Sequence, residues 1–254
     1  MKDDEQLSNE KDMNVVDHIS ELRKRLIWTA VVFITFLLLG FWFVKDIYHF
    51  FVQDLGFTLT VISPGEIIWI YFTMAMLVAA VGTIPFLSLQ VWLFVKPGLT
   101  PREQKVSLSY IPAIFLLFIA GLVFGYYIFI RLILPFLLSL NDGMFTEMFT
   151  VDRYFKFLLQ VTFPFALFFE IPIVFMFLTS LGILTPSFLR KTRKYAYFIL
   201  IIVGAAITPP DFILQVVVAI PLIVIYEISV VLSGIVFRKK RERHEAFMNE
   251  QQSE

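Results

Sequence analysis

The sequence has no cysteine and only three histidines, and these shortages exclude several kinds of chemistry. Without cysteine the chain has no disulfide, thiolate nucleophile, iron–sulfur cluster or cysteine-ligated zinc. His18, His49 and His244 lie far apart and give no i, i+4 pair, so we expect no metal site. No phosphate-binding loop or dinucleotide fingerprint is present either. We therefore expect no cofactor, no enzymatic activity and no nucleic-acid partner.

Charged residues are also scarce, whereas apolar residues are in excess. Of the 254 residues, 17% are charged and 58% are hydrophobic, including 30 phenylalanines. Soluble domains contain about 25% and about 45–50% of these classes, respectively. The mean hydropathy is +0.79. A soluble domain of this length could not bury so much apolar surface in one core. Disordered chains are poor in apolar residues. The composition therefore indicates an integral membrane protein.

Apolar runs without charge predict an all-α polytopic protein with six transmembrane helices, since about 20 helical residues cross a bilayer. The runs are Leu26–Val44, Ile67–Val95, Val106–Ile130, Ile171–Leu189, Tyr195–Pro210 and Phe212–Tyr226, and we expect the fourth to begin near Tyr154. The fifth run is short, because the stretch from Tyr195 to Ile207 covers only about 20 Å as a helix. It predicts either a span in a thinned or protein-covered part of the bilayer or one arm of a re-entrant hairpin.

The basic residues are distributed unevenly between the two sides of these spans. Seventeen of the 21 lie in the N-terminal segment, the second and fourth connections and the C-terminal tail, and Lys45, Arg131, Arg153 and Lys156 lie elsewhere. The positive-inside rule therefore predicts that both termini are cytoplasmic. We accordingly divide the single membrane domain into an amphipathic cytoplasmic entry (1–25), a six-helix bundle (26–237) and a basic cytoplasmic tail (238–254).

Several polar residues fall inside the predicted spans, and Glu170 is the costliest of them. An ionisable residue at the centre of a span costs roughly 2.5–3.5 kcal/mol on the insertion scale. Pro164 and Pro172 flank Glu170, and each removes a backbone donor and bends a helix. Glu170 is either a protonated or snorkelling structural carboxyl, or a group that faces a water-filled cavity. Glu227 is near enough to the cytoplasmic face either to snorkel or to pair with an arginine or lysine, and we expect it to be a structural anchor. Gln90, Thr208 and Gln215 are candidates for hydrogen bonds between helices.

A series of short motifs along the chain resembles the TatC family, the multi-spanning component of the twin-arginine protein translocase. The motifs are His18–Leu26, Gln90–Leu99 with Glu103 beyond it, Phe169–Pro172, Leu181–Ile183, Arg193–Tyr195, Thr208–Asp211 and Tyr226–Ile228. The resemblance implies a bundle of kinked helices with a concave face in the plasma membrane, the cytoplasmic membrane of a bacterial cell. It also implies that the protein exports folded proteins, driven by the proton-motive force, and is the receptor for signal peptides with two adjacent arginines.

The resemblance further implies roles for individual residues. Glu21 and Glu103 match the acidic residues that receive the arginine pair, and Arg23, Phe94 and Leu99 match residues that shape that site. Glu170 matches the intramembrane acid of the concave face, and Asp211 matches an important position in an extracytoplasmic turn. Thr208 and Gln215 match positions where single-span TatA-type or TatB-type partners dock. Self-association and contact with membrane lipid are also expected.

Two other functions compete with this interpretation. A small-molecule secondary transporter would suit kinked helices and a carboxylate near the midplane, but the sequence has no detectable inverted repeat. An intramembrane enzyme is disfavoured by the lack of cysteine and of a paired histidine and acid. From composition alone, Glu21 and Glu103 would simply offset the basic residues beside them, as solvated surface carboxylates usually do.

Overall fold

The protein is helical in the part of the chain that the computed structural model describes. That part comprises residues 2–53, 55–96, 104, 108, 110–141, 146, 148–208 and 211–252, with side chains described within 19–242. The helices are α1 (Lys2–Val52), α2 (Pro64–Val95), α3 (Tyr110–Ile128), α4 (Leu134–Ser139), α5 (Val151–Phe168), α6 (Ile171–Leu181), α7 (Pro186–Lys191), α8 (Arg193–Ile207) and α9 (Phe212–Gln252). A π-helical turn at Phe129–Ile133 joins α3 to α4. The predicted all-α class is confirmed.

Five helical segments among the described residues are long and apolar enough to cross a membrane. They are Ile19–Val52, Pro64–Val95, Tyr110–Ser139, Val151–Leu181 and Phe212–Glu242. They correspond to five of the six predicted spans. The remaining predicted span corresponds to α8, which has 15 residues and is short for a full crossing. The six-span count and the cytoplasmic location of both termini stay predictions.

The fourth span ends eight residues earlier than the predicted boundary at Leu189. Its last helix ends at Leu181, because Gly182 adopts a left-handed conformation with φ of 82°. The N–H of Gly182 donates to the carbonyl of Thr179 at 3.0 Å and so closes the helix end. A new short helix, α7, then begins with Thr185 as its N-cap and a proline in its first turn.

One compact unit comprises residues 1–57 and 67–104, and it consists mainly of α1 and α2. Gly40 permits their close approach, since a Cβ there would lie 2.8 Å from the carbonyl oxygen of Ala75. The rings of Phe41 and Phe72 meet edge to face at 5.1 Å. Large apolar side chains such as Trp42, which is 85% exposed, remain on the outer surface of α1. Such exposure is expected of a helix surrounded by lipid.

The second compact unit comprises residues 58–66 and 105–254. In it, α3 packs on α5 through two glycines one turn apart. A Cβ at Gly121 would lie 2.6 Å from the Cα of Ala166, and one at Gly125 would lie 2.8 Å from the Cα of Thr162. Helices in membranes associate largely by such close packing of small residues. The loop before α2 joins this unit through Thr60, which exchanges backbone hydrogen bonds with the start of α5.

We expect Gly125→Leu to destabilise the protein, because the new side chain would collide with the backbone of α5. Overpacking of a close contact costs about 1–3 kcal/mol. The midpoint of thermal unfolding of the detergent-solubilised protein should therefore fall. Val123→Leu is the matched control, since Val123 lies on the same helix and is 62% exposed. Equal midpoints for the two variants would contradict the role of the glycine.

Candidate functional site

A cluster of polar groups joins the beginning of the first span to the end of the second. Glu21 and Arg25 lie one turn apart on α1 and form an ion pair. The Arg25 guanidinium also donates to the side-chain oxygen Oε1 of Gln90 at 3.3 Å and to the backbone carbonyl of Leu93 at 3.2 Å. We call Glu21, Gln90 and the Leu93 carbonyl the guanidinium cradle. Its acceptors come from two helices that are distant in sequence.

The local structure of α2 explains why a cation binds at this place. The helix ends at Val95, so the carbonyl of Leu93 belongs to the last turn and lacks an intrahelical partner. The C-terminal end of a helix carries a partial negative charge that favours a cation. Arg25 supplies that cation, and Glu21 four residues before it has the favourable order for an i, i+4 pair.

The structure places the other predicted residues of the signal-peptide site as follows. Arg23 lies on α1 and is exposed, and Phe94 is half-buried in the last turn of α2. Leu99 and Glu103 lie outside the described residues. Gln90, predicted to form a hydrogen bond between helices, does so with Arg25. The role of Arg25 was missed, although its i, i+4 spacing from Glu21 was the signal that could have indicated it.

Glu170 lies at a break in the fourth span, between α5 and α6. Its backbone N–H donates to the carbonyl of Leu167 at 3.1 Å, a tighter turn than that of an α-helix. Pro172 lies in the first turn of α6 and removes a donor there. The predicted bend is thus an interruption of the helix. Both carboxyl oxygens are shielded from solvent, and neither has a hydrogen-bond partner within the described ranges.

Thr208, Asp211 and Gln215 lie together around the turn from α8 to α9. Asp211 is the N-cap of α9, because its carboxylate accepts from the N–H groups of Ile213 at 2.8 Å and Leu214 at 3.1 Å. The Thr208 side chain is buried, and its hydroxyl donates to the carbonyl of Gly204 at 3.0 Å. Gln215 is half-buried one turn into α9. The structure therefore brings these three predicted residues together at one end of two helices.

Glu227 forms a second polar cluster, which connects α8 to α9. Its carboxylate accepts from Arg193 at 2.7 Å and from the hydroxyl of Tyr197. The neighbouring Tyr226 donates its hydroxyl to the carbonyl of Leu189 at 2.8 Å. Of the two alternatives predicted for Glu227, snorkelling or pairing with a basic residue, the structure shows the pairing, with Arg193. The contribution of Tyr197 was missed, because no sequence pattern relates it to a residue 30 positions away.

Comparison with known proteins relates the chain to one family over most of its length. The family model described as Sec-independent protein translocase protein (TatC) matches residues 17–221. TatCd of Bacillus subtilis is 47% identical to the chain, over 93% of this chain and 98% of that protein. TatCy of the same organism is 40% identical, over 91% of this chain and 92% of that protein.

A solved structure agrees with these sequence matches. The crystal structure of the twin-arginine translocase receptor TatC in DDM superposes with a TM-score of 0.76 at 33% identity. The match covers 85% of this chain and 99% of that chain. The protein is therefore a multi-pass plasma-membrane component of a Tat protein translocase, which works with other Tat components. It belongs to the TatC family of Sec-independent protein translocase proteins.

Proposed function

We propose that this protein is the signal-peptide receptor of its translocase, and that Glu21 and Glu103 bind the two adjacent arginines. The observation that carries the proposal is that Glu21 already binds a guanidinium group, that of Arg25. A site with acceptors arranged around one guanidinium is chemically suited to the arginine of a peptide. In this proposal Arg23, Phe94 and Leu99 shape the surroundings of the two carboxylates.

The preference for arginine over lysine follows from the geometry of the two cations. A planar guanidinium offers several donors in a fixed plane, whereas an ammonium is a single point charge. A charge pair about 4 Å apart gains roughly 1 kcal/mol in water and roughly 4 kcal/mol at an effective dielectric constant near 20. The side chains of Glu21 and Arg25 are only 35% and 19% exposed, so the cradle is partly shielded from water. Partial shielding strengthens the contacts that distinguish a peptide with two arginines from one with two lysines.

We expect a twin-arginine signal peptide to bind the purified protein about tenfold more tightly than the same peptide with two lysines, a difference of about 1.4 kcal/mol. Fluorescence anisotropy of labelled peptides, with the protein in detergent, measures both affinities. Photocrosslinking from a residue beside the arginine pair should then label the chain near α1. Equal affinity for the two peptides would overturn the receptor proposal.

We also propose that the translocase exports folded proteins under the proton-motive force, with Glu170 in contact with water inside the membrane. Two observations support a special environment for Glu170: the span is broken at that residue, and its buried carboxyl oxygens lack partners among the described residues.

TatA-type or TatB-type single-span proteins are proposed to dock around Thr208 and Gln215. Their proximity at the α8–α9 turn supports a shared surface there.

The proposed topology has both termini in the cytoplasm and the α8–α9 turn outside. We expect a cysteine introduced by Phe212→Cys to react with an impermeant thiol reagent added to intact cells, because Phe212 is 79% exposed beside this turn. The native chain has no cysteine, so labelling reports this one position. Lys239→Cys, in the exposed basic tail, is the control that should react only after the cells are opened. Exclusive labelling of the turn from the cytoplasm would contradict this topology.

A further inference from the structure

The guanidinium group of Arg25 lies in the guanidinium cradle, so a side chain of the same protein fills this site. We infer that Arg25 is a resident substitute for a signal-peptide arginine: an incoming arginine displaces it and binds Glu21, Gln90 and the Leu93 carbonyl. The inference rests on the proposed receptor function and extends it. It adds two acceptors to the peptide site, and it makes release of Arg25 a step in binding.

The chemistry of the cradle is complementary to an arginine side chain. A carboxylate, a side-chain amide oxygen and a backbone carbonyl converge on one guanidinium. All three groups accept hydrogen bonds; the carboxylate carries a full negative charge, and the two carbonyl oxygens carry partial negative charges. A lysine ammonium could reach fewer of these acceptors at once, because all of its N–H donors are on a single nitrogen atom. The cradle therefore selects for arginine, whether that arginine belongs to the chain or to a peptide.

Arg25 is held in a way that permits exchange. Besides its ion pair with Glu21, Arg25 makes two bonds, to Gln90 and Leu93, which measure 3.3 and 3.2 Å and are longer than the 2.7–2.9 Å typical of charge-assisted bonds. Its Nε is shielded from solvent and has no acceptor among the residues that the structure describes. A shielded donor without an acceptor loses its hydration without replacement, which weakens the bound state. An arginine approaching from outside, with its own choice of rotamer, could satisfy the same acceptors more fully.

Occupation by Arg25 should lower the apparent affinity for the peptide. Only molecules whose cradle is not occupied by Arg25 can bind the peptide. The apparent dissociation constant is therefore the intrinsic one divided by the fraction of such molecules. If the cradle is open for about a tenth to a fifth of the time, removal of Arg25 tightens binding about five- to tenfold. If Arg25 instead fixes Glu21 in place for the peptide, its removal weakens binding. The two roles therefore predict opposite signs.

The experiment compares the wild-type protein with Arg25→Ala, Arg25→Lys and Lys24→Ala, each in detergent, by anisotropy of labelled twin-arginine and twin-lysine peptides. We expect Arg25→Ala to bind the twin-arginine peptide about five- to tenfold more tightly, and Arg25→Lys to lie between it and the wild type. Lys24→Ala removes the same charge from the neighbouring, exposed position, so it measures the effect of net charge alone. It should change the affinity by less than about twofold, as an exposed charge does.

A double variant tests the acceptors. Gln90→Leu should cancel much of the gain in the Arg25→Ala background, because the leucine removes one acceptor of the cradle. Elution volume and thermal midpoint show which variants are folded. If Arg25→Ala is not folded, the affinity of Arg25→Lys tests the inference.

Weaker binding by both Arg25 variants would overturn the inference and make Arg25 a positioning residue. A gain no larger than that of Lys24→Ala, or an equal gain for the twin-lysine peptide, would also overturn it. Failure of the receptor proposal itself looks different. In that case the wild-type protein would not distinguish the twin-arginine peptide from the twin-lysine peptide.

Discussion

Glu170→Ala is expected to reduce export of a twin-arginine reporter at least about tenfold while the amount of protein in the membrane stays nearly unchanged. Insertion of a carboxylate at the centre of a span costs roughly 2.5–3.5 kcal/mol, so its removal does not oppose membrane insertion. The break between α5 and α6 is maintained by Pro172 and by the backbone turn, and neither depends on the carboxyl group. Export and abundance are measured together, by reporter activity outside the membrane and by immunoblot.

Glu227→Ala is the matched control, because Glu227 is also an acid within a segment long and apolar enough to cross a membrane, Phe212–Glu242. Its carboxylate binds Arg193 and Tyr197, and loss of it would leave Arg193 without this partner. The side chains of Arg193 and Glu227 are 40% and 33% exposed, and loss of the hydrogen bonds to this carboxylate costs about 1–3 kcal/mol. We therefore expect Glu227→Ala to lower abundance and export in parallel. The same parallel loss in Glu170→Ala would show that Glu170 is a fold determinant and would contradict its transport role.

The double variant Glu21→Ala, Glu103→Ala is expected to lose binding of a twin-arginine signal peptide by about a hundredfold or more. A hydrogen bond to a charged group contributes about 1.5–3 kcal/mol, and this variant removes both carboxylates. Glu103→Lys alone should abolish detectable crosslinking, because it replaces attraction of the arginine pair by repulsion. The measurement is peptide anisotropy together with photocrosslinking in membranes.

A carboxylate outside the site provides the control for these changes. Glu242→Ala removes one acid from the exposed basic tail, where its side chain is 65% exposed beside Arg238. We expect it to bind the signal peptide like the wild-type protein, since exposed pairs contribute about 0–1 kcal/mol. Normal peptide binding and normal export in the double alanine variant would refute the assignment of the two carboxylates.

The class of the protein and most of its helices could be predicted from sequence. Hydropathy is a local property, so apolar runs such as Ile67–Val95 predict the corresponding helix, Pro64–Val95, almost to its ends. Proline acts locally too, because it lacks its own N–H, and the pair around Glu170 indicated the interrupted span. The family resemblance supplied the translocase function, since its motifs extend along nearly the whole chain.

Which distant groups meet depends on how the helices pack. Arg25 binds Gln90, 65 positions away, only because α2 returns to the start of the first span. Arg193 binds Glu227 across 34 positions because α9 packs beside α8. No period in the sequence relates the two partners of either contact. A charged side chain in a low-dielectric environment binds whichever acceptor the packing of the helices brings within about 3 Å. The packing depends on close contacts such as that of Gly125 with Thr162, and these contacts are set by shape rather than by hydropathy.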